Sequence, residues 1–188
     1  MKTNLRAVTF TLFFMLSNVS GAVQIAGVGI PDEVRVADQV LYLNGAGIRY
    51  KFIFKIYVAA LYIPKRTHEP TEALALKGPA RVLMHFLYSK VAKRKLVDAW
   101  NEGFRANNDK RVMDAIAGRL ADFNEMFDTV REGDQVLLDY LPGEGTRVTI
   151  AGRIKGIVPG MDFYRALLRV WLGPEPVKES LKKALLGN

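Results

Sequence analysis

Gly47-Ile48-Arg49-Tyr50-Lys51-Phe52-Ile53-Phe54-Lys55-Ile56-Tyr57-Val58-Ala59-Ala60-Leu61-Tyr62-Ile63 carries the strongest β signal in the chain. Ile48, Tyr50, Phe52 and Phe54 fall on alternate positions, with Arg49, Lys51 and Lys55 on the opposite parity. That period of two is the mark of a half-buried strand, and Pro64 ends it. A short hairpin is expected just before it, where Val34, Val36, Val40 and Tyr42 alternate over residues 34–43. Beyond Pro64, Thr71 opens a short helix over Glu72 to Leu76, stopped by Gly78-Pro79. Residues 80–88 read as another strand.

Two helices follow. Leu96, Trp100 and Phe104 recur every fourth residue, and Met113, Ile116, Leu120 and Phe123 form a second apolar stripe. Asn107-Asn108-Asp109 separates them, with Asp109 placed to cap the second. A three-strand meander is expected over 135–141, 146–151 and 153–158, turning at Pro142-Gly143-Glu144-Gly145 and Ala151-Gly152. Two helices close the chain, one lined by Phe163, Leu167 and Trp171, the other by Val177, Leu181 and Leu185. Strands in hairpins and helices in pairs argue an α+β fold, an antiparallel sheet with helices on one face, and not βαβ winding.

The amino end points to export. Basic Lys2 and Arg6 precede an apolar run from Ala7 to Leu16, and Ser20 and Ala22 stand at the −3 and −1 positions of a small-residue exit. The run is shorter than the roughly 20 residues a spanning helix needs. Residues 1–22 are therefore read as a signal peptide cut after Ala22, and 23–188 as one domain in the periplasm. The remaining 166 residues suffice for one core. No later segment is apolar enough to span a membrane. Removing Lys2 and Arg6 lowers the net charge from +8 to +6. The chain has no cysteine, so it has no disulfide, thiol nucleophile or thiolate metal site.

Most site chemistries fail on spacing. Gly45-Ala46-Gly47 starts like a dinucleotide fingerprint, but Tyr50 stands at the third glycine and a strand follows instead of a helix. His68 and His85 lie 17 residues apart with no carboxylate or cysteine cluster around them, so no metal is expected. No Gly-x-Ser-x-Gly elbow occurs. Asp134 and Asp139, five apart on and beside a strand, point to opposite faces and cannot act as an acid–base couple. The cluster Lys90, Lys93, Arg94 and Lys95 reads as a solvated helix face, not a nucleic-acid site. No cofactor is implied.

Asn44-Gly45-Ala46-Gly47-Ile48-Arg49 followed by Tyr57-Val58-Ala59-Ala60-Leu61-Tyr62 resembles the chalcone isomerase superfamily. So do residues 92–104, Pro142-Gly143-x-Gly145-Thr146, and Phe163 to Gly187 with Ala166-Leu167-Leu168-x-x-Trp171-Leu172-Gly173. The likeness runs from about Ile25 to Gly187 and is nearest to bacterial chalcone-isomerase-like proteins. It implies an open-faced sandwich, a large antiparallel sheet wrapped against helices, with a ligand cleft between. The family includes true isomerases and fatty-acid-binding proteins, both with an arginine at the Arg49 position that holds an anion.

Residue by residue, the resemblance favours the second branch. Tyr57 stands where fatty-acid-binding members have tyrosine and isomerases typically threonine. Lys95 matches an isomerase helix lysine. Ala92, Ala99 and Val170 stand near an isomerase tyrosine, asparagine and threonine. The implied site is Arg49 and Tyr57 on a carboxylate, with Lys95 and Trp171 at the ligand. Phe52, Phe54, Leu96, Trp100, Phe104 and Leu167 would line an apolar tunnel with Trp171. The expected ligand is a small hydrophobic anion, a fatty acid. The alternatives are an intramolecular lyase of the chalcone isomerase type and a non-catalytic partner-binding module with a filled cleft. By strand period alone, Arg49 would simply face solvent and Tyr57 the core. Geometry sets a condition on the shared site. Eight residues of straight strand span roughly 26 Å, so Arg49 and Tyr57 meet only if the chain reverses between Lys51 and Phe54, where no Gly or Pro marks a turn.

Overall fold

A computed structural model describes residues 21–188. The segment read as a signal peptide lies outside them, apart from Gly21 and Ala22. The chain runs β1 (Ala22–Ile25), β2 (Val28–Pro31), β3 (Glu33–Val36), β4 (Gln39–Lys51), β5 (Phe54–Ile63), α1 (Pro70–Ala75), β6 (Ala80–Phe86), β7 (Lys90–Val91) and α2 (Lys93–Asn107). It continues with α3 (Lys110–Glu125), β8 (Val130–Arg131), β9 (Gln135–Leu141), β10 (Gly145–Ile150), β11 (Arg153–Val158), α4 (Met161–Leu172) and α5 (Glu179–Leu185). Seven strands form a curled antiparallel sheet in the order β11-β10-β9-β6-β5-β4-β3. The fold is α+β, as expected.

The expected single strand over 47–63 is corrected to a hairpin. β4 ends at Lys51, β5 begins at Phe54, and Phe52-Ile53 is the whole turn. The alternation misled because a two-residue loop leaves the apolar parity almost unbroken, and because Phe52 takes the left-handed φ of +55° that glycine usually supplies. Arg49 is consequently the direct cross-strand partner of Tyr57.

β5 runs mid-sheet and is buried on both faces, which is why Tyr57 to Ile63 is continuously apolar. Tyr57, Ala59, Leu61 and Ile63 face the helical layer, where Trp100 packs edge to face on Phe123 and Trp171, and Phe163 packs tilted on Phe104 and Phe123. Val58, Ala60 and Tyr62 face a second core with Leu41 and Leu43. The β1–β2 hairpin, not anticipated from the sequence, closes that side through Ile30. The two-residue β7–β8 ladder was also not anticipated, being too short to show a period.

Other expectations hold locally. The Asp109 carboxylate accepts the Val112 amide at 2.9 Å and caps α3. Asp139 is buried on β9 between two arginines that are its cross-strand neighbours, Arg81 on β6 and Arg147 on β10. It accepts from Arg81 at 2.5 and 2.8 Å and from Arg147 at 2.9 Å. Its role is a fully paired structural charge. Gly45 and Gly47 admit α5. A Cβ on Gly45 would lie 2.1 Å from the Ala184 carbonyl oxygen, and one on Gly47 would lie 2.6 Å from the Ala184 Cβ. The Gly-x-Gly pattern thus serves close helix–sheet packing and not a phosphate.

Candidate functional site

A cavity of about 370 Å³ opens between β4, β5 and β6 on one side and α2 with the end of α4 on the other. That volume falls within the range of small-molecule sites, roughly 300–1,000 Å³. Its depth is apolar, walled by Met84, Phe86, Leu96, Trp100 and Val170, and its mouth carries Lys51, Lys90, Lys95 and Glu102. This cavity stands where the filled-cleft alternative expected bulky side chains.

Arg49 and Tyr57 both line it. The β4–β5 register skips Ile56, so that Arg49 faces Tyr57 while Tyr50 faces Lys55. This bulge turns the consecutive residues Ile56 and Tyr57 toward the same cavity. The Ile56 carbonyl takes the Leu87 and Tyr88 amides at 2.9 and 3.2 Å, which ties β5 to the cavity's far edge. Arg49 uses Nη1 on the Tyr50 carbonyl. A guanidinium has five N–H donors, so the rest of its fork remains for an anion.

Tyr57 is held from behind. Trp171 donates its indole N–H to the Tyr57 hydroxyl oxygen at 3.1 Å, and Phe86 packs on the ring with centroids 5.6 Å apart. An indole nitrogen can only donate, so the tyrosine accepts here and keeps its own proton for another partner. Burial pushes the phenol above its ordinary value; the Trp171 bond and the Arg49 charge only partly offset this. Tyr57 is therefore a neutral donor at physiological pH. Trp171 itself is fully buried and stands behind Tyr57, not among the residues that line the cavity. Trp100 does line the cavity, and its buried indole N–H has no acceptor among the described residues.

Lys95 and Lys90 both line the mouth. The basic cluster thus divides: Lys93 instead pairs with Glu125 at 2.9 Å, and Arg94 is exposed. The expected tunnel lining holds for Leu96 and Trp100 only. Phe104 and Leu167 belong to the closed core, and Phe52 and Phe54 project into solvent, because the turn carries them past the sheet. Sequence reasoning missed Lys51, Met84, Phe86 and Tyr88. Met84 and Phe86 alternate on β6 and Tyr88 keeps the same parity just past its end, a period-two signal that could have placed them on a common face. Ala92, Ala99 and Val170 all line the cavity. These are the positions where the resemblance to isomerases placed polar side chains, so the wall there is apolar.

Buried phenols give this architecture an alkaline limit. Burial raises Tyr57 and Tyr164 and pushes Tyr62 up to about 12 from 10.0. Such groups ionise more readily in the unfolded chain. Their stabilisation is complete below the unfolded value near 10 and is lost as pH rises through the folded value. Melting temperature should therefore fall between about pH 10 and 12, and less steeply in Tyr62→Phe. Equal slopes for wild type and variant would show that this phenol is not a source of the decline.

Residues 22–187 match the model of a family described as chalcone isomerase-like. No match is found among curated proteins. Among solved structures, a fatty-acid-binding protein of Arabidopsis thaliana superposes with a TM-score of 0.67 at 16% identity, covering 88% of this chain and 95% of that one. At that identity the likeness speaks to the fold.

Proposed function

This chain belongs to the chalcone isomerase-like family, and from that premise we propose that its cavity binds a hydrophobic carboxylate, a fatty acid. The observation that carries this reading is the cross-strand pairing of Arg49 with Tyr57 at the cavity wall. The arginine fork donates two parallel charge-assisted bonds to a carboxylate, and the free Tyr57 proton a third. Met84, Phe86, Leu96 and Val170 offer an acyl chain an apolar bed. Lys51, Lys90 and Lys95 at the mouth favour an anion's approach. The Arabidopsis protein of the same fold is a fatty-acid-binding protein, which points the same way.

The apolar Ala92, Ala99 and Val170 weigh against ring closure of a chalcone, which needs its substrate held by polar groups; an absorbance assay of that reaction should stay flat. We further propose that residues 1–22 are removed and that the domain works in the periplasm, with Val23 as the first residue found by sequencing of the exported protein. Native mass spectrometry followed by solvent extraction tests the binding reading. The expected result is a co-purifying or readily loaded fatty acid. A clean unliganded mass that stays unchanged with added fatty acid would overturn it.

A further inference from the structure

The tip of the β4–β5 hairpin exposes three consecutive apolar side chains, Phe52 (88%), Ile53 (84%) and Phe54 (51%). Scattered apolar residues on a surface need no explanation, but a contiguous patch does. Phe54 packs edge to face on exposed Tyr88, centroids 5.7 Å apart, which widens the patch. Folding does not call for these residues. Phe52 occupies a left-handed backbone position, and the other non-glycine residues there among the described ones are all alanine: Ala26, Ala37 and Ala151. Glycine would relieve the strain at position 52, and a bulky side chain there gains no packing in return. Along the hairpin itself the charges have one sign, and Glu102 on α2 is the acid that shares the neighbouring cavity mouth. Lys51 and Lys55 flank it, Lys90 stands near Tyr88, and no acid occurs between Gly45 and His68.

We propose that this tip docks on an anionic lipid surface, with Phe52, Ile53 and Phe54 entering the headgroup boundary and Lys51 and Lys55 meeting lipid phosphates. An apolar and aromatic point ringed by lysines matches the two-part chemistry of such an interface. The position gives the docking a use. Lys51 and Tyr88 belong both to the tip and to the cavity wall, so the cavity mouth lies next to the membrane when the tip is seated. The docking surface itself stands independently of which ligand the cavity holds.

The absence of cysteine allows a local test. The full chain carrying Ile53→Cys, labelled with an environment-sensitive fluorophore, is mixed with vesicles of equal parts phosphatidylglycerol and phosphatidylcholine. Its emission should shift to the blue. The same label on Ile154→Cys, exposed on the opposite sheet edge, should not shift. Serine at positions 52, 53 and 54 together should lower vesicle partitioning at least about tenfold, and Lys51→Ala with Lys55→Ala about 30-fold at low salt. Vesicles of phosphatidylcholine alone should bind wild type much more weakly. No shift at position 53, equal shifts at both positions, or partitioning untouched by the serine variant would overturn the proposal; the last two outcomes would assign vesicle binding to another part of the chain. Fatty-acid uptake measured in vesicle-free buffer keeps failure of docking distinct from failure of ligand binding.

Discussion

Arg49→Ala is expected to weaken fatty-acid binding about 10- to 100-fold while leaving the fold intact. The magnitude follows from the roughly 1.5–3 kcal/mol that a hydrogen bond to a charged group contributes. The loss should not be total, because Lys51, Lys90 and Lys95 still surround the mouth and the apolar wall is unchanged. Arg49→Lys separates charge from geometry. Lysine keeps the charge but lacks the planar fork, so recovery of less than half of the lost binding free energy would point to bidentate contact. Tyr57→Phe should cost less affinity but more stability, since it removes one donor from the ligand and leaves the buried Trp171 N–H unpaired. Isothermal titration with a soluble medium-chain fatty acid, alongside thermal melts, reads both quantities. An Arg49→Ala protein that binds as tightly as wild type would remove Arg49 from the head-group site and with it the proposed function.

That site was half legible in the sequence, for a physical reason. The helices announced themselves because a stripe such as Leu96, Trp100 and Phe104 has to face a core at a fixed period, and α2 and α4 formed where those stripes lie. The meander was visible through its turn residues, and Gly143 and Gly152 do take left-handed φ. The decisive reversal was invisible because Phe52 occupies the position where turn chemistry normally writes a glycine. Local rules fail at that tip, and such failures concentrate where a surface has a task other than folding. Trp171 illustrates a different limit. Its place one layer behind the cavity depends on how α4 seats against β5, a tertiary fact that helical period does not encode. The Lys90–Lys95 cluster looked uniform in sequence, yet the β7–α2 junction sends two of its side chains to the cavity mouth and one to Glu125.

Gly45→Ala should cost about 3 kcal/mol of stability, which is roughly 10 °C in melting temperature for a domain of this size. A Cβ at this position would stand 2.1 Å from the Ala184 carbonyl oxygen, 2.8 Å from that of Leu185 and 2.9 Å from the Gly187 amide. All three are backbone atoms, so no side-chain rotation relieves the overlap, and α5 must move off the sheet. Two anchors resist that movement. The Asn44 side-chain amide donates to the Leu185 carbonyl at 2.7 Å, and His68 Nδ1 lies 2.7 Å from the Leu186 carbonyl. Leu181, Leu185 and Leu186, all buried, would be exposed if the helix let go. Gly118→Ala supplies the contrast. Its Cβ meets nothing within 4 Å on α3, so the same chemical change should stabilise by about 1 kcal/mol through helix propensity alone. Opposite signs from one substitution type would establish that contact with α5, not glycine's flexibility, fixes the residue at position 45. A mild effect at Gly45 would instead mean that the C-terminal segment is held loosely. That segment runs back through Val177, whose amide donates to the Val170 carbonyl at 3.0 Å, and both valines line the cavity. A loosened α5 would therefore enlarge or collapse the ligand site from its far wall, and fatty-acid affinity measured on Gly45→Ala below its melting temperature should fall together with its stability.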